Sequence, residues 1–198
     1  ARFGDPTAKS ASRQLHSKEK VKEFAKDYLK EAGTILALAK TEICHNSSWY
    51  EKMTAEELVK LMTNFTHAEL IERDMFRKRM DEGLEIRLHE IIYPILQGYD
   101  SVIVKSDLTI IGSDQKFNEL QGRHLQTVFE QSPQDLMIMP LLVGTDGKSK
   151  MGASLGNYIA IAEKPNEQFG KLMSIPDGLM VSYFKLLVRK SLEEKKDF

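Results

Sequence analysis

The stretch Leu108-Thr109-Ile110-Ile111-Gly112-Ser113-Asp114-Gln115-Lys116-Phe117-Asn118 decides how the chain is read. Its first four residues are apolar or β-branched, a run of strand length. Gly112 ends that run, and Ser113-Asp114 open a helical pattern that continues to about residue 130. A strand tipping into a helix through a glycine turn belongs to α/β architecture, in which ligands bind outside the carboxyl ends of the strands. Asp114 at that place could accept hydrogen bonds from sugar hydroxyls, and Gly112 permits close backbone approach. Asp114 equally suits a plain helix N-cap.

The neighbouring sequence extends the pattern. Residues 101–105 form another short β-branched run, with Asp107 near the turn that follows, and residues 88–98 read as a helix. Downstream, residues 135–142 read as a strand or a buried extended run, residues 144–156 as a loop carrying Lys148 and Lys150, and residues 165–173 and 176–190 as helices. Nearer the start, Val21, Phe24, Tyr28, Leu29 and Ala32 fall on one face of a helix beginning at Ser17, and Gly33 fits its stop. Thr54-Ala55-Glu56-Glu57 and Thr66-His67-Ala68-Glu69 are capping boxes, the second opening a longer helix rich in Met and Arg. Helices alternating with a few short, buried strands predict an α/β layer structure with an incomplete parallel sheet.

Composition narrows the function classes. The 198 residues are 41 % hydrophobic and 29 % charged, enough for a real core. The 28 basic and 29 acidic residues nearly cancel, so bulk charge does not point to nucleic acid, although a local basic patch stays open. Cys44 is the only cysteine, which excludes an intrachain disulfide and any multi-cysteine metal site and suits a reducing compartment. No apolar run approaches ~18 residues, so no membrane span is expected. His89-Glu90-Ile91-Ile92-Tyr93 begins like a zinc-binding helix but lacks the second histidine, so no metal site is expected there.

Two further constellations could carry chemistry. Tyr93, Gln97 and Asp100 stand at i, i+4 and i+7, sharing one helical face. A phenol, an amide and a carboxylate so arranged could bind a small polar ligand with a hydroxyl or ammonium group. The same spacing suits a partly exposed polar stripe, and Pro94 complicates the helix outside its first turn. Gly147-Lys148-Ser149-Lys150-Met151-Gly152-Ala153-Ser154-Leu155-Gly156-Asn157 is a glycine-rich lysine loop able to wrap phosphates, or a plain flexible basic loop. It does not have P-loop spacing.

Read in order, these motifs resemble the tyrosyl-tRNA synthetases, class I enzymes built on a Rossmann fold. Tyr93-Pro94-Ile95-Leu96-Gln97-Gly98-Tyr99-Asp100 is similar to the family's tyrosine-pocket helix, and Gly112-Ser113-Asp114-Gln115-Lys116-Phe117-Asn118 to its nucleotide and substrate loop. Met139-Pro140-Leu141-Leu142-Val143-Gly144-Thr145-Asp146-Gly147 leads into the signature lysine loop, and Phe169 to Asp177 resembles the closing helices. The resemblance runs from Gly4 to about Leu187. It implies an incomplete class I synthetase catalytic domain over residues 1–190, a helical connective and dimer-interface region at about 34–90, and a charged tail at 191–198.

The resemblance also implies roles. Asp5, Asn46, Tyr93 and Gln97 would hold the amino end of tyrosine, Asp100 would receive its phenol hydroxyl, and Gln115 would lie near the reacting carboxylate. Gly112 and Asp114 would contact the adenosine ribose, Lys9 and Arg13 the pyrophosphate, and Lys150 and Ser154 would belong to the loop closing on the phosphates. The implied reactants are tyrosine, ATP with Mg2+, and tRNA(Tyr). The implied setting is a cytoplasmic homodimer, paired around a helix expected at residues 75–88 through Met75, Phe76, Met80 and Leu88, although the same residues could fill the chain's own core.

The sequence departs from the pattern in places. No His-x-Gly-His element, the family's other signature, occurs in it. Ala153 stands where a second lysine is usual, and Ala8 where a glycine is usual. These departures lead us to expect a fragment, a split protein or a chain needing a partner. They also keep open a non-catalytic binding or assembly module. The family's anticodon-binding domain has no counterpart here, so tRNA recognition by this chain alone is not expected.

Overall fold

The computed structural model describes residues 16–188. Asp5, Lys9, Arg13 and the 191–198 tail therefore lie outside the described residues. The chain divides into two compact units, which within the described residues are 16–27 with 39–139, and 28–38 with 140–188.

The helices within residues 16–104 are α1 (Lys18–Ala32), α2 (Ser47–Tyr50), α3 (Ala55–Met62), α4 (His67–Ile71), α5 (Asp74–Asp81) and α6 (Leu88–Val104). Both expected capping boxes form. The Thr54 hydroxyl accepts from the Glu57 amide at 3.2 Å while Glu57 Oε2 accepts from the Thr54 amide at 2.7 Å. Thr66 and Glu69 repeat the arrangement at the start of α4. The long helix expected after Thr66 is instead two short ones, α4 and α5, separated at Glu72–Arg73. The expected 75–88 helix likewise ends at Asp81, where Gly83 takes φ +69° and turns the chain.

The helix expected over residues 88–98 runs on to Val104, so the β-branched run expected as a strand at 101–105 is instead the last turn of the helix and its cap. Packing overrides β-propensity here. Val102 joins Leu61, Leu70, Ile95 and Leu125 in the core of the first unit, with Met53, Met62, Phe65, Ile91 and Tyr99 packed around them. Pro94 sits in the second turn of α6, where its missing N–H removes the bond to the Glu90 carbonyl. The helix stops at Lys105, which adopts a left-handed conformation. Side-chain amides reach its last carbonyls: Gln131 donates to Val102 O at 3.1 Å, and Gln126 to Ser101 O at 3.4 Å.

Strand β1 (Leu108–Gly112) follows, then a 3-10 turn at Ser113–Gln115, helix α7 (Lys116–Val128) and strand β2 (Asp135–Met139). The strands pair in parallel, Leu108 opposite Asp135 through Gly112 opposite Met139, and α7 is the crossover. The strands are not buried as expected: Leu108, Ile110, Met137, Ile138 and Met139 are all exposed. Helix α7 packs instead on α6, at very close range, because glycines face the contact. A Cβ on Gly98 would lie 2.9 Å from the Gln121 carbonyl carbon, and one on Gly122 would lie 2.7 Å from Ser101 Oγ.

In the second unit, residues 140–164 form a loop region in which Val143 and Lys150 make an isolated antiparallel bridge. Helix α8 (Pro165–Met173) has the expected bounds. The expected 176–190 helix is a 3-10 turn at Asp177–Leu179 followed by α9 (Met180–Leu187). Tyr183 of α9 is buried and donates its hydroxyl to Val143 O at 2.6 Å, tying the helix to the loop.

Candidate functional site

Helix α6 carries Tyr93, Gln97 and Asp100, all half-buried and all on its one face. Asp100 is held by the α2 region. Asn46 Nδ2 donates to Oδ2 at 3.2 Å and Trp49 Nε1 to Oδ1 at 2.9 Å. Tyr50 on the same short helix donates to Leu96 O. Burial pushes the Asp100 carboxyl above its ordinary value, the Trp49, Asn46 and Tyr50 hydrogen bonds oppose that, and the charge of Glu119 adds to it. Burial, with Asp100 nearby, pushes the Tyr50 phenol up as well. A carboxylate has about four lone-pair positions, so Asn46, Trp49 and Tyr50 together still leave Asp100 room for another hydroxyl.

Gln97 and Gln115 are brought together through Asn118. Gln115 ends the 3-10 turn at the tip of β1, and Asn118 lies one turn on, in α7. Asn118 Nδ2 donates to Gln97 Oε1 at 2.9 Å and to Gln115 Oε1 at 3.0 Å. Gln97 Nε2 donates in turn to Glu119 Oε1 at 2.6 Å. Gly112 has an ordinary extended backbone, φ −72° and ψ 152°, so any residue could adopt it. Asp114 lies inside the 3-10 turn, half-buried. The residue at the N-cap position of α7 is Gln115, whose side chain makes no cap bond.

The lysine loop belongs to the second unit. Its base is clamped by Asn157, which is 5 % exposed. Asn157 Nδ2 donates to Asp146 Oδ2 at 2.9 Å and to Lys150 O at 3.2 Å, and its Oδ1 accepts from the Gly152 amide at 2.9 Å. Asp146 Oδ1 accepts from the amides of Lys148 and Ser149, each at 3.0 Å. These bonds hold the Asp146 carboxyl below its ordinary value, the Lys148 amide most. Gly144 makes the clamp possible, since a Cβ there would fall 2.2 Å from Asn157 Nδ2. Above this base, Lys148, Ala153 and Ser154 are exposed and Lys150 is half-buried.

Sequence reasoning missed Trp49, Glu119, Asp146 and Asn157 as parts of these arrangements. Trp49 stands three residues after Asn46, a helical spacing that could have flagged it. Phe76, expected at a dimer surface, is fully buried, whereas Met80 and Leu88 are exposed. Among the described residues no group of three or more His, Cys, Asp or Glu is placed to hold a metal ion.

The family model for class I tRNA synthetases (W and Y) matches residues 1–198. The chain is 49 % identical over 193 residues to the tyrosine–tRNA ligase of Carboxydothermus hydrogenoformans, spanning 98 % of this chain and 47 % of that protein. It is 48 % identical over 198 residues to that of Dehalococcoides mccartyi, spanning all of this chain and 50 % of that protein. The chain thus spans about half the length of the curated relatives it matches. Among solved structures, a C-terminally truncated mitochondrial tyrosyl-tRNA synthetase of Aspergillus nidulans gives a TM-score of 0.68 at 20 % identity, covering 99 % of this chain and 62 % of that one. The tyrosyl-tRNA synthetase of Archaeoglobus fulgidus, solved with L-tyrosine, gives 0.64 at 24 % identity, covering 87 % and 56 %. These likenesses establish a Rossmann-like class I α/β fold.

Proposed function

Because the chain belongs to the class I tRNA synthetases of the tryptophan and tyrosine group, we propose that it carries the amino-acid site and the lysine loop of a tyrosine–tRNA ligase. In this reading the tyrosine carboxylate attacks the α-phosphorus of MgATP, giving tyrosyl-adenylate and pyrophosphate. The terminal ribose hydroxyl of tRNA(Tyr) then takes the tyrosyl group. Mg2+ arrives with the nucleotide as part of that substrate.

The observation that carries the amino-acid assignment is the Asp100 cluster. A half-buried carboxyl held by Asn46 and Trp49 is a ready acceptor for a phenol hydroxyl. Phenylalanine would leave it without that donor, which is how such a pocket rejects the deoxy analogue. Asp5, Tyr93 and Gln97 would serve the amino end, Gln115 the carboxylate, and Gly112 and Asp114 the ribose; Asn46, expected at the amino end, is bonded to Asp100 and so would act at the phenol end instead. Lys150 and Ser154 would stabilise charge on the leaving phosphates, joined by Lys9 and Arg13. The resemblance also supports a catalytic domain over residues 1–190 with a connective region at 34–90. It supports a homodimer, for which Met80 and Leu88 are the exposed candidates, and a cytoplasmic setting that suits the exposed thiol of Cys44. No helix of the described residues is long and apolar enough to cross a membrane.

Titration calorimetry with tyrosine and with a non-hydrolysable tyrosyl-adenylate analogue tests the reading. Binding of both, with phenylalanine much weaker, is the expected result; a folded sample that binds neither overturns it. A second reading, a non-catalytic binding module, is favoured by Ala153, which removes a cation from the loop. Tyrosine-dependent pyrophosphate exchange separates the two, since a module gives none.

A further inference from the structure

Glu119 enters the α6–α7 contact only 6 % exposed, and its hydrogen-bond partners among the described residues are neutral. Gln97 Nε2 donates to Oε1 at 2.6 Å, and Gln134 Nε2 to Oε2 at 2.8 Å. Ser101 Oγ stands 3.5 Å from Oε2. A carboxylate accepts and does not donate, so both glutamines must turn their NH2 groups toward it. That leaves Gln97 Oε1 toward Asn118, whose Nδ2 bridges to Gln115 Oε1. At the other end, Gln134 Oε1 accepts from Thr109 Oγ1 at 2.7 Å and from Ser106 Oγ.

We propose that Glu119 is a positioning residue for the amino-acid site, fixing which way round the amides of Gln97 and, through Asn118, Gln115 are held. The relay has one alternative, in which every amide from Gln97 to Gln115 is flipped. Flipping Asn118 would pair its buried, partnerless Oδ1 and would demand the same of both glutamines. A flipped Gln97 would then aim its carbonyl at the Glu119 carboxylate, oxygen against oxygen. Glu119 thus selects the polarity that Gln97 and Gln115 present to a ligand. In that polarity Gln97 keeps one N–H and one lone pair uncommitted by these bonds. The inference rests on the reading that both glutamines contact tyrosine.

Two substitutions separate polarity from packing. Glu119→Gln keeps the shape but turns one acceptor into a donor, whereas Glu119→Asp keeps two acceptors and leaves a gap. Calorimetric titration with tyrosine should show Glu119→Gln weakened by about tenfold or more, the loss of one charge-assisted hydrogen bond's worth of orientation, with Glu119→Asp closer to the unsubstituted chain. A packing role predicts the reverse order, and finding that order overturns the proposal. So does Glu119→Gln binding tyrosine as tightly as the unsubstituted chain. If Glu119→Gln does not fold, Asn118→Asp replaces it, putting an acceptor where the relay needs a donor; weakened binding supports the proposal and unchanged binding overturns it. An unsubstituted chain that fails to bind tyrosine removes the proposed function and this inference with it, an outcome distinct from the others.

Discussion

Replacing Gly98 with alanine puts a methyl group where the backbone of α7 already lies. The added Cβ would sit 2.9 Å from the Gln121 carbonyl carbon, 3.0 Å from its oxygen and 3.0 Å from the Gly122 nitrogen. None of these atoms can rotate away, so the two helices must separate. Overpacking of this kind costs about 1–3 kcal/mol, and a contact made entirely with backbone belongs at the top of that range. Alanine in a helix interior returns about 1 kcal/mol relative to glycine. The net destabilisation is therefore about 2 kcal/mol. Urea unfolding should show it as a lower midpoint with an unchanged slope. Helix separation also stretches the Gln97–Glu119 and Asn118–Gln97 bonds, so tyrosine affinity should fall in the same variant. A Gly98→Ala chain as stable as the parent would refute the claim that the two glycines set the α6–α7 distance.

Other perturbations read out other parts of the account. Asp100 has a folded pKa raised above its ordinary 3.8, so the native state binds more protons than the unfolded chain just above that pH. Stability should therefore fall as pH rises from about 4 through the folded pKa, and paired urea titrations should show Asp100→Asn lacking that component. Asn157→Ala unclamps the lysine loop while leaving the first unit untouched. It should speed tryptic cleavage at Lys148 and Lys150 severalfold, with little change in tyrosine affinity. Ala153→Lys should raise pyrophosphate exchange in a ligase, the added cation contributing up to about 2.7–4 kcal/mol if it reaches the transition-state phosphates; no change would favour the binding-module reading.

How much was legible in the sequence depended on whether a signal was local. The capping boxes at Thr54 and Thr66, and the proline at the start of α8, are satisfied within one helical turn, and each forms where the sequence placed it. Residues 101–105 misled because their β-branched composition is a statement about propensity, while their helical state is set by Val102 packing on Leu125 and its neighbours. The strand–turn–helix at residues 108–128 was readable, but the exposure of its strands was not, since burial depends on what packs against a sheet. The face of Tyr93, Gln97 and Asp100 followed from helical spacing. The groups that orient those residues did not: Trp49 lies 51 residues from Asp100, and Glu119 lies 22 from Gln97. The only local hint was the helical spacing of Trp49 from Asn46; nothing in the sequence ties either residue to Asp100, or Glu119 to Gln97. Likewise Phe76 looked like interface and is core, because a helical period identifies an apolar face without saying what covers it.

The central claim is that Asp100, held by Asn46 and Trp49, receives a phenol. A crystal structure of the chain with bound tyrosine tests it most directly. The account predicts the tyrosine hydroxyl within hydrogen-bond distance, about 2.5–3.0 Å, of an Asp100 carboxyl oxygen. Tyrosine bound elsewhere, or bound with its ring pointing away from Asp100, would contradict it.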